Sequence, residues 1–242
     1  MKTKTVLALA IGISIFLSSC EEFGEVVTPS ASITTETHTA SGFTGIDVSH
    51  AFNVYVNFSE ATESIEVEAN ENLHDHIIVE KQGNTLVVKM KDYIRLRMST
   101  ATLNVYITTA FLDNFTASGA TDVVLYDVLK ASDVYMDLSG ASSLSGTIEA
   151  DDLTCDLSGA SDLDLSGSAD YLSLNASGSS TVKDYVLSVN WLDADLSGAS
   201  DAFLTVNERL DVEASGASSV HYRGSGTIYS QDLSGASSIS KE

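Results

Sequence analysis

A four-residue motif that recurs seven times in the second half of the chain constrains its fold more than any other feature. Each copy reads Ser-Gly-(Ala/Ser)-(Ser/Thr), and the intervals between successive glycines are 21, 19, 19, 20, 18 and 19 residues. The motif glycines are Gly119, Gly140, Gly159, Gly178, Gly198, Gly216 and Gly235. A repeat of this period indicates stacked structural units that bury their apolar faces against one another.

The residues between the motifs alternate between apolar and polar side chains. Before Gly140, for example, Val134, Met136 and Leu138 occupy every second position. This period of two predicts strands with one buried face, and no stretch of helical period interrupts them. Propeller blades need about twice this length, and the Asn/Cys position of leucine-rich repeats is missing. The sequence therefore predicts an all-β, parallel β-helix-like solenoid with coils of about 19 residues over residues 116–242.

Each motif is expected to form a corner of a coil. Glycine suits a corner that needs a positive φ or a close approach of two backbones. The flanking Ser and Thr hydroxyls can bond to the turn and to the copies above and below. At Ser49-His50-Ala51 a glycine would be expected at His50, so the first coil is predicted to have a different corner.

Residues 42–115 predict an N-terminal β region that precedes the repeats. Short alternating runs at 52–58 and 86–90 predict strands, and Gly83-Asn84 predicts a hairpin turn. One short helical turn is predicted over residues 72–76. Together with the repeats, this region makes a domain over residues 42–242.

The first 20 residues read MKTKTVLALAIGISIFLSSC. A short basic start and an apolar stretch of about a dozen residues are typical of a signal peptide. Small residues directly before Cys20 resemble the lipobox of bacterial lipoproteins, which implies cleavage after residue 19 and lipid attachment at Cys20. Residues 20–41 are rich in Ser, Thr and Glu and contain the one proline, Pro29, so they predict a flexible tether.

The chain is strongly acidic, with 34 acidic and 12 basic residues and a formal net charge of −22. This charge argues against nucleic acid or an anionic membrane surface as the main partner. The expected partners are a membrane, reached through the N-terminal lipid, and an extracellular glycan or protein. Glu21, Glu22 and Glu25 resemble the surface-export signal of some Gram-negative lipoproteins, so outward display is a hypothesis.

The opening Gly-Phe-Thr-Gly-Ile-Asp-Val at 42–48, the following Phe-Asn-Val-Tyr-Val at 52–56 and the Ser-Gly-Ala-Ser coils resemble one known family. It is called putative auto-transporter adhesin, head GIN domain. The resemblance covers about residues 40 to 240 and includes the lipoprotein leader. It implies a right-handed parallel β-helix-like fold on secreted or surface proteins of Gram-negative bacteria, and it brings no catalytic residues. With the lipoprotein leader, the expected location is the outer membrane. The expected function is a non-catalytic adhesin or surface structural module.

Tyr171, Trp191 and Arg209 lie seven residues before successive motif glycines. Stacked coils would place them in one strip, and exposed aromatic rings can pack on a sugar face. A carbohydrate-binding module is therefore one alternative function. The other interpretation is a stacking ladder that stabilises the coils, with Arg209 capping it through a cation–π contact.

The outward position three residues before each glycine is mostly acidic. It holds Thr116, Asp137, Asp156, Asn175, Asp195, Glu213 and Asp232. Such a column could bind calcium through carboxylate oxygens, or it could form a solvated face that keeps the protein soluble. We expect no cofactor, with calcium as the second interpretation.

The remaining candidates for chemistry are weak. His74 and His76 are spaced to lie on one side of a strand and could hold a metal, but a surface pair is favoured because no further ligand lies nearby. The motif serines have no recurring histidine, so they do not form a triad. Leu153, Cys155 and Leu157 alternate with Thr154 and Asp156, so Cys155 is expected in the core. A glycan-degrading enzyme is the least favoured alternative, because carboxylate pairs are expected by chance among so many acids.

Overall fold

The computed structural model describes residues 24–97 and 101–242, and 65% of it is strand. The predicted signal peptide and Cys20 lie outside the described residues. In residues 24–97 and 101–242, no helix is long and apolar enough to cross a membrane. The described chain begins with ten strands and one 3-10 helix: β1 Glu25–Val27, β2 Ile33–His38, β3 Gly45–Ser49, β4 Asn53–Phe58, β5 Ser64–Asn70, the helix Glu71–His76, β6 Ile77–Gln82, β7 Thr85–Met90, β8 Ile94–Leu96, β9 Leu103–Thr109 and β10 Asn114–Ser118.

The strands of the repeats follow. They are β11 Asp122–Leu125, β12 Leu129–Leu138, β13 Ser143–Leu157, β14 Asp162–Ala176, β15 Thr181–Val182, β16 Leu187–Leu196, β17 Asp201–Ala214, β18 Ser219–Arg223, β19 Thr227–Leu233 and β20 Ser238–Lys241. Several span two sides of a coil, because the chain bends within them without losing its pairing.

Each coil pairs with the next as parallel strands in register. Met136 pairs with Cys155, Cys155 with Leu174, and Leu174 with Ala194. All four side chains are at most 1% exposed, so they form a continuous apolar column inside the stack. Burying such side chains is the main source of stability in this fold. The predicted all-β solenoid with about seven coils of about 19 residues is confirmed.

The stack begins upstream of the predicted boundary at residues 115 and 116. Strands β3 and β4 pair in parallel with β10 and β11, so residues 45–58 form a first coil. Its corner is His50, which has a φ of +79° in the place where later coils have glycine. The expectation of a different corner at this point is confirmed.

The rest of the N-terminal region covers this end of the stack. Strands β6 and β7 form an antiparallel hairpin around Gly83-Asn84, as predicted, and β7 pairs in parallel with β3. Strands β5 and β9 pair with each other, and β9 also pairs with β4. The short helical turn predicted over residues 72–76 is confirmed within the helix at Glu71–His76.

Part of the predicted tether is ordered. Strand β2 runs antiparallel to β5, and six residue pairs join Ile33–His38 to Ile65–Asn70. Strand β1 pairs with β8. The prediction of a flexible segment over residues 20–41 is therefore wrong for these strands. The physical reason is that β5 has a free edge whose backbone groups need partners, and the Thr-rich sequence of β2 suits a strand.

The corners stack as closely as the strands. All seven motif glycines have a positive φ, and the nitrogen that follows Gly140 donates a hydrogen bond to the carbonyl of Gly119 at 2.7 Å. This bond repeats up the corner with lengths of 2.6–2.7 Å. The last residue of each of the first six motifs is buried. In all seven motifs its hydroxyl donates to the carbonyl of the first residue, as from Ser180 to Ser177 at 2.9 Å. The motif thus closes its own turn.

We predict that Gly178→Ala destabilises the fold strongly. The added Cβ would lie 2.3 Å from the carbonyl oxygen of Gly159, at a φ of +80°. Since that oxygen is fixed by the corner hydrogen bond, the coils must separate, and we expect a loss of at least about 2 kcal/mol. Urea denaturation of both proteins measures the difference.

Gly83→Ala is the matched control. Gly83 also has a positive φ, at +61°, but nothing lies within 4 Å of its added Cβ. This substitution should lower the free energy of unfolding by only about 1 kcal/mol, because alanine is strained at a positive φ but meets no steric clash here. Equal losses for the two variants would show that the close approach of the corners does not limit the stability.

Candidate functional site

The strip predicted from the sequence lies on the outer surface of β14, β16 and β17. Tyr171 pairs with Trp191, and Trp191 pairs with Arg209, so all three occupy one line across three coils. The in-register placement that the sequence predicts is therefore present in the structure.

Trp191 is the most prominent member of the strip. Its side chain is on the surface, with 48% of the residue exposed, and its Nε1 donates a hydrogen bond of 2.8 Å to Glu208. This bond fixes the orientation of the indole ring while leaving apolar surface open to solvent. Beside it lies a shallow concavity of about 350 Å³ that Asp170, Tyr171 and Asn190 also line. The Asn190 amide donates to Asp170 at 2.8 Å.

The other two members of the strip contact different partners. The Tyr171 hydroxyl donates to Asp193 at 3.2 Å, and burial together with this carboxylate raises the pKa of Tyr171. Arg209 binds Asp211 through two nitrogens and lies over the ring of Tyr229, with 3.7 Å between the guanidinium carbon and the ring centroid. The predicted cation–π contact of Arg209 is present, but its partner is Tyr229 on the adjacent strand, β19, rather than an aromatic ring of the strip.

The predicted acidic column is also in register. Its members are Asp47, Thr116, Asp137, Asp156, Asn175, Asp195, Glu213 and Asp232, each paired with the next, so the structure adds Asp47 at the start. Polar neighbours separate several of the carboxylates. The Asn175 amide donates to Asp156 at 2.7 Å, and the Tyr135 hydroxyl donates to the same carboxylate at 2.8 Å. This hydrogen bond is the main reason that the pKa of Tyr135 rises to about 12.

The column carries uncompensated repulsion at Asp137. Burial raises the pKa of Asp137, and the nearby charges of Asp156 and Asp47 raise it further. Within residues 24–97 and 101–242, no group of three or more His, Cys, Asp or Glu residues is arranged to hold a metal ion. Calcium binding by the column stays the second interpretation of its carboxylates, after a solvated acidic face.

The two histidines differ from their prediction. His74 and His76 belong to the 3-10 helix, where residues two apart do not share a face, so the placement on one side of a strand is wrong. The side chain of His74 is 6% exposed and packs against β2. Its Nε2 lies 3.1 Å from the carbonyl of Thr34, and its Nδ1 lies 3.7 Å from Glu36.

Cys155 lies in the core, as the sequence predicts. It is completely buried, and burial raises the pKa of its thiol far above the ordinary value. A thiol in this state is a poor nucleophile, since the thiolate is the reactive form.

Two further aromatic clusters were not anticipated. The rings of Tyr106, Tyr55 and Tyr126 stack in this order, with centroids 5.1 and 5.7 Å apart. Phe203 stacks on His221 at 4.7 Å, and Tyr185 meets Phe203 edge to face. The first cluster had a signal in the sequence, because Asn-Val-Tyr occurs at both 53–55 and 104–106. Strands β4 and β9 bring these two copies side by side.

Comparison with known proteins agrees with the fold and its motifs. The family model described as "Putative auto-transporter adhesin, head GIN domain" matches residues 42–226. The chain is therefore a bacterial-type β-solenoid with serine–glycine corners, and it belongs to this family. None of the curated proteins matches the sequence.

Solved structures have the same fold. A putative adhesin from Bacteroides fragilis is 23% identical, with a TM-score of 0.82 over 89% of this chain and 100% of its own. A putative lipid binding protein from Parabacteroides distasonis is 17% identical, with a TM-score of 0.74 over 90% and 100%. A putative adhesin from Parabacteroides merdae is 15% identical, with a TM-score of 0.67 over 90% and 99%. At these identities, the likeness concerns the fold alone.

We predict that Asp137→Asn stabilises the protein at neutral pH. The pKa of Asp137 is raised in the folded protein. Asp137 therefore contributes most to the free energy of unfolding at pH values below the ordinary aspartate pKa. This contribution is lost as the pH rises through the raised pKa. Removing the charge relieves the cost of its burial and the repulsion from Asp156 and Asp47, and it should recover about 0.2–1 kcal/mol at pH 7, the size of a cross-strand pair interaction. The gain should vanish in acid, where the native carboxyl is already protonated.

Urea denaturation at a series of pH values measures this effect. Asp164→Asn is the control, because Asp164 is exposed outside the column and pairs with Ser145. A gain of the same size in the control, or no gain at Asp137, would contradict the repulsion inferred here.

Proposed function

We propose that this chain is a non-catalytic, adhesin-like module of a bacterial cell envelope. The observation that carries the proposal is its membership of an adhesin-named family, combined with outer columns of side chains that are aligned from coil to coil. Stacked coils present the same kind of group every 4.8 Å or so, which suits repeated weak contacts with an extended ligand. Such contacts give adhesion through multivalency rather than through one deep pocket.

The motif hydroxyls support a structural role. Each buried motif hydroxyl, such as that of Ser161, donates to a backbone carbonyl within its own turn, so the repeated serines serve the corners. The buried thiol of Cys155 is likewise unsuited to catalysis. A glycan-degrading enzyme would need a pair of carboxylates, and Asp137 and Asp156, adjacent in the acidic column, form one such pair. Asp-to-Asn scanning of Asp137 and Asp156 tests this, and a loss of glycan cleavage would overturn the non-catalytic proposal.

The proposed location is the outer membrane of a Gram-negative bacterium, with Cys20 carrying the lipid. The leader sequence and the family support this location. Labelled palmitate should be incorporated by the native protein and not by Cys20→Ala. Protease treatment of intact cells would then report whether the solenoid faces outward.

A carbohydrate-binding site at the Trp191 strip is the second candidate function. The favouring observation is the exposed indole of Trp191, held by Glu208 beside polar groups of Asp170 and Asn190. An apolar ring face next to fixed amide and carboxylate groups is the arrangement that a sugar ring requires, since its CH groups and hydroxyls lie at right angles.

We predict that Trp191→Ala weakens binding to any glycan that the protein recognises by about thirtyfold, the loss typical of a central aromatic contact. Binding of residues 21–242 to a panel of glycans and matrix proteins, followed by titration of each hit, measures this loss. The unfolding midpoint should change little, because Trp191 is half exposed.

Tyr126→Ala is the matched control, because Tyr126 is 61% exposed and belongs to a different aromatic cluster. Loss of binding in both variants would point to a general effect of surface aromatics. Glycan binding that persists in Trp191→Ala would remove the strip as the site, while binding to a matrix protein alone would favour adhesion without a sugar.

A further inference from the structure

The few basic residues of this acidic chain are unevenly distributed. Residues 89–97 contain four of the 12 Lys and Arg residues, with Asp92 as the single acid. The four are Lys89, Lys91, Arg95 and Arg97, and we call this region the basic end. It comprises the end of β7, the following loop and β8, beyond the first coil of the solenoid.

The charges of the basic end are available for binding. Lys91, Arg95 and Arg97 are exposed, and none of the four lies within ion-pair distance of a carboxylate of residues 24–97 and 101–242. Lys91 donates to the backbone carbonyl of Asp75, a neutral group, so this bond does not neutralise its charge. A concavity of about 310 Å³ lies here, lined by Gly24, His50, Lys91, Tyr93 and Arg95 among others.

The loop also presents apolar groups outward. Tyr93 is 71% exposed and has a φ of +67°, a conformation that bulky residues rarely adopt. Val26 on the adjacent strand β1 is 59% exposed. An exposed tyrosine and valine among cations form the combination found where proteins contact the interface of a lipid bilayer.

The chain that leads to Cys20 starts from this place. Strand β1 pairs with β8, and a Cβ on Gly24 would lie 2.6 Å from the carbonyl oxygen of Tyr93, so the two backbones touch. Cys20 is four residues before Gly24, a distance of at most about 14 Å along an extended chain. A lipid on Cys20 would therefore hold the basic end, rather than the distal coils, next to the membrane.

The large negative charge does not prevent this contact. Eight pairing steps separate β7 from β19, so the last coil lies about 38 Å from the basic end at 4.8 Å per step. Charges are screened over about 8 Å at physiological salt. The acids of the distal coils are several screening lengths away. At the basic end itself, the four cations are accompanied by Asp92, by the exposed Glu25 on β1 and by Asp75, whose carbonyl Lys91 contacts, so these groups together carry a net charge of +1.

We propose that the basic end docks on the phosphate groups of an anionic lipid surface, so that the solenoid stands with its last coils pointing away from the membrane. The inference rests on the proposed envelope role and says which end faces the bilayer. The net charge of the chain alone predicts that an anionic membrane surface repels the protein. The proposal differs because it assigns the contact to one basic end. Arg95, Arg97 and Lys91 attract the headgroups, and Tyr93 enters the interface between them.

Sedimentation with lipid vesicles tests this docking. Residues 21–242 include every described residue and lack Cys20, so binding is independent of any acyl chain. We expect binding to vesicles of phosphatidylcholine with phosphatidylglycerol, and not to phosphatidylcholine alone. Raising the salt concentration should release the protein. The triple variant Lys91→Gln, Arg95→Gln and Arg97→Gln should bind at least about tenfold more weakly.

The control triple variant is Lys130→Gln, Lys183→Gln and Lys241→Gln. It has the same change in net charge but lies three or more pairing steps from β7 and outside the basic end, so its vesicle binding should be unchanged. Equal weakening in both triples, or binding to neutral vesicles, would overturn the proposal. Release by inorganic phosphate at constant ionic strength would indicate a site for the free ion instead. Glycan binding through Trp191 is measured separately, so either proposal can fail alone.

Discussion

The whole structure depends on how closely successive corners approach one another. At Gly159 and Gly178 the carbonyl of one coil lies where a Cβ of the next would be, and the backbone nitrogen that follows donates to that carbonyl. A side chain at either position would push the coils apart and break the register of the strands beside it. The hydroxyl of the last motif residue, such as Ser180, donates a hydrogen bond to the carbonyl of the first, Ser177. The corner can therefore be buried without an unpaired donor.

Register has consequences on both faces of the coils. Inside, it aligns residues such as Cys155 and Leu174 into one core. Outside, it aligns whatever the sequence places at each position, favourable or not. Tyr171 and Trp191 become neighbours, and so do Asp137 and Asp156, whose repulsion is only partly relieved by the Tyr135 hydroxyl. In a solenoid, side chains that lie one coil length apart in the sequence therefore become neighbours on the surface. A ligand that binds the outside of the stack would contact these columns of side chains.

The repeats could be predicted because each signal in them is local and recurs. The spacing of the glycines gave the coil length, and the alternation around Met136 gave the inward face. The end of the stack could be predicted only in part. The missing corner glycine at His50 is visible in the sequence, but the pairing of β2 with β5, a partner about 30 residues further along the chain, has no local signal. The partners of Arg209 could not be predicted either. It contacts Asp211 and Tyr229, and these contacts depend on side-chain geometry rather than on the register of the strands.

The corner hydrogen bonds have a mechanical consequence. They run along the axis of the stack, as do the bonds between strands, so a pull between the first and last coils would load each layer in series. The weakest layer would open first, and one released coil of about 19 residues would lengthen the chain by about 65 Å. Because each coil contacts mainly its neighbours, the others would remain folded. Under tension the protein would extend in discrete steps and keep most of its outer columns intact.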